Sequence, residues 1–323
     1  MAVKWGIVGA SGIAHRRTMS AINIAENNDL YALMVRDMDR AEKLAREHGV
    51  PVYYDSVEDI LSDPEVDAVH IATPAYLHCE HVTRAAEHGK HVLCEKPMAL
   101  NVDECKRMID VCEQNGVCLE ICFLMRFHPN YHRIKQIIED GELGEIIEAR
   151  VSMMKWYPIE EGLWRRDPAR AGGGVLMDMG SHAIDLLSFL LGDVSKVTAF
   201  VSSQIGKWEV EETATVLMQT KDGAHILAST SFVVSHGGNM LEIYGTKGSI
   251  LVGGGKTKVY VNGDVREESS PGANLYTEQV EHFARYMAGE EQPVVPGITG
   301  LKNIQIISAA YESARTGDTV AIP

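Results

Sequence analysis

The sequence predicts an α/β chain in two parts: a doubly wound parallel sheet, then an α+β domain with a large, mostly antiparallel sheet. Three observations predict it. In the first third, short apolar strands alternate with helical patterns. Some of those strands, such as Ala68-Val69-His70-Ile71-Ala72, are apolar throughout, which suits a sheet covered on both faces. Beyond about Leu124 the alternation stops and strands follow one another, with helices closing the chain.

In order, the first part has strands at Lys4–Val8, Leu30–Val35, Val52–Tyr54, Ala68–Ala72, His91–Cys94 and Val117–Cys122. Helices are expected between them at Ile13–Asn23, Asp39–His48, Val57–Ser62, Tyr76–His88 and Val102–Asn115. The second part opens with a helix at Pro129–Asp140, closed by Gly141 and Gly144, and a strand at Ile146–Met154. A helix at Met179–Leu191 precedes strands at Val197–Ser203, Thr213–Gln219, Ala224–Phe232, Met240–Gly245, Ser249–Val252 and Lys258–Val261. Lys221-Asp222-Gly223 is a hairpin turn. Helices at Leu275–Met287 and Thr299–Thr316 end the chain. The expected boundary gives domains 1–124 and 125–323.

Composition narrows the function classes. The 323 residues carry 30 Lys and Arg against 45 Asp and Glu, a net charge of −15. An acidic chain is a poor general nucleic-acid binder, because phosphate neutralisation needs clustered cations. The apolar stretches read as strand-sized or amphipathic, so no membrane span is expected. Residues Met1 to Gly9 lack a basic region followed by a long apolar one, so the expected location is cytoplasmic. The six cysteines form no Cys-x-x-Cys pair and read as reduced core thiols. His78 and His81 sit three apart, but no further ligands fall in register, so no metal is expected.

Gly9-Ala10-Ser11-Gly12-Ile13-Ala14 follows the first strand and opens the first helix, the context a dinucleotide-binding turn requires. The helix start offers unpaired N–H groups and a positive dipole end to a pyrophosphate. Ser11 stands where the pattern has a second glycine; Gly12 beside it gives the backbone room. The second strand ends at Val35, which cannot bind ribose hydroxyls as a carboxylate would. Arg36 and Arg40 can fork a 2′-phosphate, so NADP(H) is favoured. Asp37 is either a helix cap or a ribose ligand, which keeps NAD(H) open.

Thr73-Pro74 and Cys94-Glu95-Lys96-Pro97 end two further strands, where such sheets bind ligands. Charges ending an apolar strand are hard to explain as core, and Pro97 leaves the peptide before it open to the cis form. His78 is placed with Thr73, Pro74, Glu95 and Lys96 on the cofactor side. In the second part, Gly172-Gly173-Gly174 leads to Asp178 and His182, four apart on one helical face, with Asp185 three beyond. A histidine between carboxylates has a fixed orientation and a pKa biased upward.

Together the strand-one turn, Glu95-Lys96-Pro97 and the Ala171-to-His182 segment resemble the Gfo/Idh/MocA oxidoreductase family over nearly the whole chain. The resemblance implies an N-terminal Rossmann domain, and a C-terminal domain whose open sheet forms a homodimer or homotetramer. It implies hydride transfer between NAD(P) and a sugar, cyclitol or related alcohol. It makes Lys96, Asp178 and His182 the catalytic set. Trp164 and Arg165 match a cofactor-side pair of the family's NADPH-dependent anhydrosugar reductases. Arg126, Phe127, His128, Tyr157 and Tyr276 are candidate substrate contacts or plain packing. Two other readings of the same residues remain: a glycosidase that recycles its cofactor, and a non-catalytic NADPH sensor.

Overall fold

The computed structural model describes residues 2–157, 164–206, 208–269 and 272–323. They divide into two compact units: Met1–Phe127 with Ala273–Leu301, and His128–Gly272 with Lys302–Pro323.

The first unit holds six strands: β1 (Val3–Val8), β2 (Asn28–Met34), β3 (Val52–Tyr54), β4 (Ala68–Ile71), β5 (His91–Cys94) and β6 (Leu119–Ile121). They pair in parallel in the order β3-β2-β1-β4-β5-β6. The order reverses between β1 and β4, the switch point beyond whose carboxyl ends ligands bind. A π-helical turn at Ala14–Thr18 runs into α1 (Met19–Ile24), followed by α2 (Met38–His48), α3 (Val57–Ser62), α4 (His78–Glu87) and α5 (Val102–Gln114). Capping explains where several begin. Asp37 accepts the Arg40 N–H at 3.2 Å, and Ser56 the Glu58 N–H at 3.2 Å. Asn101 accepts the Glu104 N–H at 2.9 Å, and Glu104 in turn accepts the Leu100 N–H at 3.0 Å.

The second unit is built on a nine-stranded sheet. Its strands are β7 (Ile146–Met154), β8 (Val194–Ser202), β9 (Thr213–Thr220), β10 (His225–Ser231), β11 (Asn239–Gly245), β12 (Gly248–Gly253), β13 (Lys256–Val261), β14 (Asp264–Glu268) and β15 (Val320–Ala321). The order is β14-β13-β12-β11-β7-β10-β9-β8-β15, antiparallel except between β7 and β10. The expected hairpin joins β9 to β10, with Gly223 at φ +95°. Helix α6 (Pro129–Glu139) precedes β7. Helix α7 (Pro168–Ala171), a π-helical turn at Leu176–Gly180 and α8 (Ser181–Leu191) follow it. Residues of one parity, such as Ala149, Val151, Ile226, Ala228 and Val216, are buried, and α8 packs over β7 and β10. On the opposite parity Phe200, Leu217, Met240 and Val265 are 77%, 51%, 50% and 59% exposed.

The chain then returns to the first unit through α9 (Leu275–Met287), which corrects the expected 125–323 domain. The physical reason is twofold. Val280 and Phe283 of α9 enter the core around Trp5, with the Trp5 and Phe283 rings 5.5 Å apart. Residues 295–296 then pair with edge strand β6: Ile121 N–H donates to Val295 O at 3.0 Å, and Glu120 bridges Pro296. Helix α10 (Gly297–Thr316) follows, its residues from Lys302 belonging to the second unit.

One feature ran against the sequence reading. By length and composition the stretch Pro168–Leu191 is apolar enough to cross a membrane, yet Gly172 and Gly173, at φ +73° and +158°, interrupt its helix, and 72% of its most apolar 18 residues are buried within the protein.

Candidate active site

In the first unit the candidate residues gather at the carboxyl ends of β1, β4 and β5. Strand β1 runs straight into Gly9, whose N–H donates to Met34 O at 3.0 Å. Gly9 has φ +87°, and a Cβ there would meet Thr73 Cγ2 at 2.8 Å and Thr73 N at 3.0 Å. Both its angle and its closeness to Thr73 therefore exclude a side chain. Gly12 has φ +50° and a Cβ there would meet nothing within 4 Å. The backbone beside Ser11 and Ile13 is thus open to a ligand at the start of a helix, and this fits a pyrophosphate.

Val35 is buried, while Arg36 and Arg40 are exposed at the start of α2. The Asp37 carboxylate accepts the Arg40 N–H as the N-cap. Of its two sequence readings, the structure shows the cap.

His78 is 1% exposed. Its Nδ1 lies 3.0 Å from Pro97 O and its Nε2 2.8 Å from Thr73 O. Burial lowers its pKa, and a neutral imidazole has one N–H to donate to either carbonyl. His78 therefore sits between the Thr73-Pro74 and Lys96-Pro97 loops, donating to the carbonyl of one and packing against that of the other. Its two ring nitrogens face backbone, so it positions these loops rather than reaching a cofactor as the sequence reading had it. His81 adds a second tie, Nδ1 to Thr73 Oγ1 at 3.0 Å, and burial pushes its pKa down to about 4. The Lys96–Pro97 peptide is cis, and Lys96 is half-buried. Behind it, Glu95 Oε1 lies 3.4 Å from His70 Nε2, on a histidine whose side chain is 1% exposed.

Tyr276, on α9, belongs to this unit. Burial raises its phenol pKa; Glu95 and Cys122 push the same way, and Arg17 and Arg16 oppose them. Arg126 is half-buried in the turn Leu124–Phe127, its N–H on Phe123 O at 3.1 Å. Phe127 packs against His282 at 5.5 Å, the packing alternative for that ring.

In the second unit Asp178 lies in the π-helical turn and His182 in the first turn of α8, both half-buried. Asp185, three beyond His182 in the same regular helix, is 2% exposed, deep in the core. Trp164 and Arg165 share the turn Trp164–Arg166, with the guanidinium 4.5 Å from the indole centre. Tyr157 is 38% exposed, with Lys155 Nζ 4.6 Å above its ring. His128 caps α6, Nδ1 accepting the Asn130 N–H at 3.1 Å.

Sequence reasoning missed the group that shapes this segment. Glu211 is 9% exposed. Its carboxylate accepts the Gly174 and Leu176 N–H groups, each at 2.9 Å, and the Tyr311 hydroxyl at 2.8 Å. Its own carbonyl accepts the Val175 N–H at 3.0 Å. A Cβ on Gly174 would collide with the Glu211 backbone, and one on Gly173 with the Tyr311 ring at 2.6 Å. The glycine run thus exists for close approach to Glu211 and Tyr311. The available signal was two adjacent carboxylates, Glu211-Glu212, heading an apolar strand.

Comparison with known proteins agrees with this architecture. Residues 3–123 match the oxidoreductase family with an NAD-binding Rossmann fold, and residues 131–251 the GFO/IDH/MocA C-terminal domain. A 1,5-anhydro-D-fructose reductase from Ensifer adhaerens is 30% identical over 99% of this chain and 98% of its own. D-xylose 1-dehydrogenase (NADP(+)) 2 from Haloferax volcanii is 31% identical over 98% of this chain and 99% of its own. Among solved structures, aldose-aldose oxidoreductase from Caulobacter crescentus, complexed with glycerol, superposes with a TM-score of 0.91 at 28% identity. It covers 99% of this chain and 100% of its own.

Proposed function

The chain belongs to the Gfo/Idh/MocA family of oxidoreductases, and from that premise we propose that it transfers a hydride between a nicotinamide and a hydroxyl or keto carbon of a sugar, anhydrosugar or cyclitol. One observation carries the reading: the backbone open at Gly12 at a helix start, in a turn that packs against Thr73 through Gly9. The relatives named above act on sugars by their names, which supports the substrate class.

A bound nicotinamide supplies the hydride acceptor or donor. In the oxidative direction His182 takes the hydroxyl proton as the carbon loses its hydride; in reduction it returns that proton. Lys96 donates a hydrogen bond to the same oxygen and stabilises its developing negative charge. Asp178 orients His182 or the substrate. Arg126, Tyr157 and Tyr276 contact the substrate hydroxyls, and Trp164 and Arg165 flank the cofactor. NADP(H) is the favoured cofactor, through Arg36 and Arg40, with NAD(H) the alternative. The exposed apolar residues of the nine-stranded sheet, Phe200, Leu217 and Met240, support a homodimer or homotetramer built on that face. A solution mass equal to one chain would overturn that assembly.

The test is Lys96→Met and His182→Asn. Both variants should bind NADPH as the parent does and lose kcat by orders of magnitude on any sugar or cyclitol the parent turns over. Near-parental kcat in either removes that residue from the mechanism. Net NAD(P)H change per product separates an oxidoreductase from a hydrolase that recycles its cofactor.

A further inference from the structure

We propose that His15, Glu47 and His48 form a surface site for a divalent transition-metal ion of the zinc class. All three lie in the first unit, and none of them is among the groups assigned above to substrate or cofactor. His15 stands in the π-helical turn after Gly12, and Glu47 and His48 close α2.

Donor chemistry is the first argument. Two imidazole nitrogens and a carboxylate oxygen are a borderline-soft set that suits Zn²⁺. Spacing is the second. His15 Nε2 lies 3.1 Å and His48 Nε2 3.8 Å from the same Glu47 Oε1, and the three donor atoms sit within 4.8 Å of one another. Tetrahedral coordination with bonds of about 2.0–2.1 Å sets neighbouring ligands about 3.3 Å apart, so small rotations suffice.

The state of His48 is the third. Its side chain is only 10% exposed, and its buried Nε2, 3.8 Å from Glu47 Oε1, has no hydrogen-bond partner among the described residues. A buried polar atom left so is costly, and a metal ion would satisfy it. The scaffold is rigid: Asn23 Nδ2 holds the His48 carbonyl at 2.9 Å, and Gly49 ends the helix at φ +70°. His15 and Glu47 are 35% and 49% exposed, which leaves an entry path and room for a water ligand. Lys43 is the cation that reaches Glu47 and opposes the metal's charge. An ion here would tie the helix that follows the phosphate-binding turn to the end of α2.

The experiment is titration calorimetry of the tag-free full chain with ZnCl₂ alone at neutral pH, without cofactor, so its result is independent of the proposed oxidoreductase activity. One equivalent should bind. His15→Ala, a surface change, should weaken binding at least about 100-fold, since even outer-sphere changes cost 10–100-fold. Glu47→Gln, near-isosteric and exposed, should weaken it too, and both variants should melt like the metal-free parent. Saturating zinc should raise the melting temperature of the parent and not of either variant. Absence of binding by the parent, or one equivalent retained with equal affinity in both variants, would overturn the site. Retention in both would place the ion on other groups.

Discussion

The phenol of Tyr311 donates a 2.8 Å hydrogen bond to Oε1 of Glu211. Tyr311 comes from α10 and Glu211 from the segment before β9, 100 residues earlier. Together they back the glycine run that leads into Asp178 and His182. Burial and the adjacent carboxylate raise the Tyr311 pKa well above its ordinary value, so the phenol stays a donor.

Glu211→Gln turns an acceptor of three hydrogen bonds into a group with an N–H₂ set against some of those donors. A loss of about 1–3 kcal/mol is expected, the cost of leaving buried polar groups unsatisfied. Tyr311→Phe removes one bond and should cost less, about 1 kcal/mol. Thermal or denaturant unfolding reads both. If Asp178 and His182 serve the reaction, kcat falls more in Glu211→Gln than NADPH affinity does.

Gly9→Ala should damage the dinucleotide turn far more than Gly12→Ala. Both positions have positive φ, which costs a side-chain residue about 1–2 kcal/mol. Only at Gly9 does the added Cβ also press on Thr73, at 2.8 and 3.0 Å. Fluorescence titration with NADPH should show Gly9→Ala losing most of its affinity and Gly12→Ala retaining a weakened site. Equal losses would mean that the Thr73 contact does not matter.

Cofactor preference is read by Arg36→Ala with Arg40→Ala. Hydrogen bonds to charged groups contribute about 1.5–3 kcal/mol, so NADPH affinity should fall about ten- to hundredfold. NADH affinity should stay level. If the double variant binds both cofactors as the parent does, the two arginines take no part in the choice.

The pH dependence of stability should carry a signature of His282. The residue is 4% exposed, and burial alone would lower its pKa, but Glu120 and Glu291 outweigh burial and raise it above 6.5. Its Nδ1 meets Glu291 Oε2 at 2.7 Å, and its Nε2 lies 3.4 Å from Glu120 Oε1. Because the folded pKa exceeds the unfolded one, this contribution is complete below about pH 6.5 and is lost as pH rises through the folded value. At the acid end Glu291, whose pKa Arg285 and then His282 lower, works in the opposite sense: its contribution is present above about 4.5 and is lost as pH falls. Melting temperatures from pH 5 to 9 for His282→Gln should show a flatter alkaline decline than the parent.

Much of the fold was legible because it depends on local patterning. Strand-sized apolar runs, the cap at Asp37 and the Lys221-Asp222-Gly223 turn each report on neighbours a few residues away. The strands that escaped show the converse. Strand β14, Asp264–Glu268, has one apolar residue in five, and β15 has only two residues; both exist because a partner strand offers free backbone groups. The same holds for the residues that surround the candidate site. The glycine turn, Lys96, Asp178 and His182 stand out as motifs. The seat of His78 between two loop carbonyls and the support of Glu211 by Tyr311 leave no local trace.

The order of residues alone was enough for the two-part architecture and the dinucleotide turn, because alternating apolar periodicity and glycine placement act over one or two turns of chain. Folding in three dimensions decided that residues 273–301 belong with the first unit. There Phe283 buries its ring beside Trp5, and the backbone near Val295 pairs with the edge of β6. It also decided which carboxylates stay half-buried and which, like Asp185 and Glu211, are enclosed in the core. Burial and long-range hydrogen bonding are properties of surfaces brought together, and no window of sequence contains both surfaces.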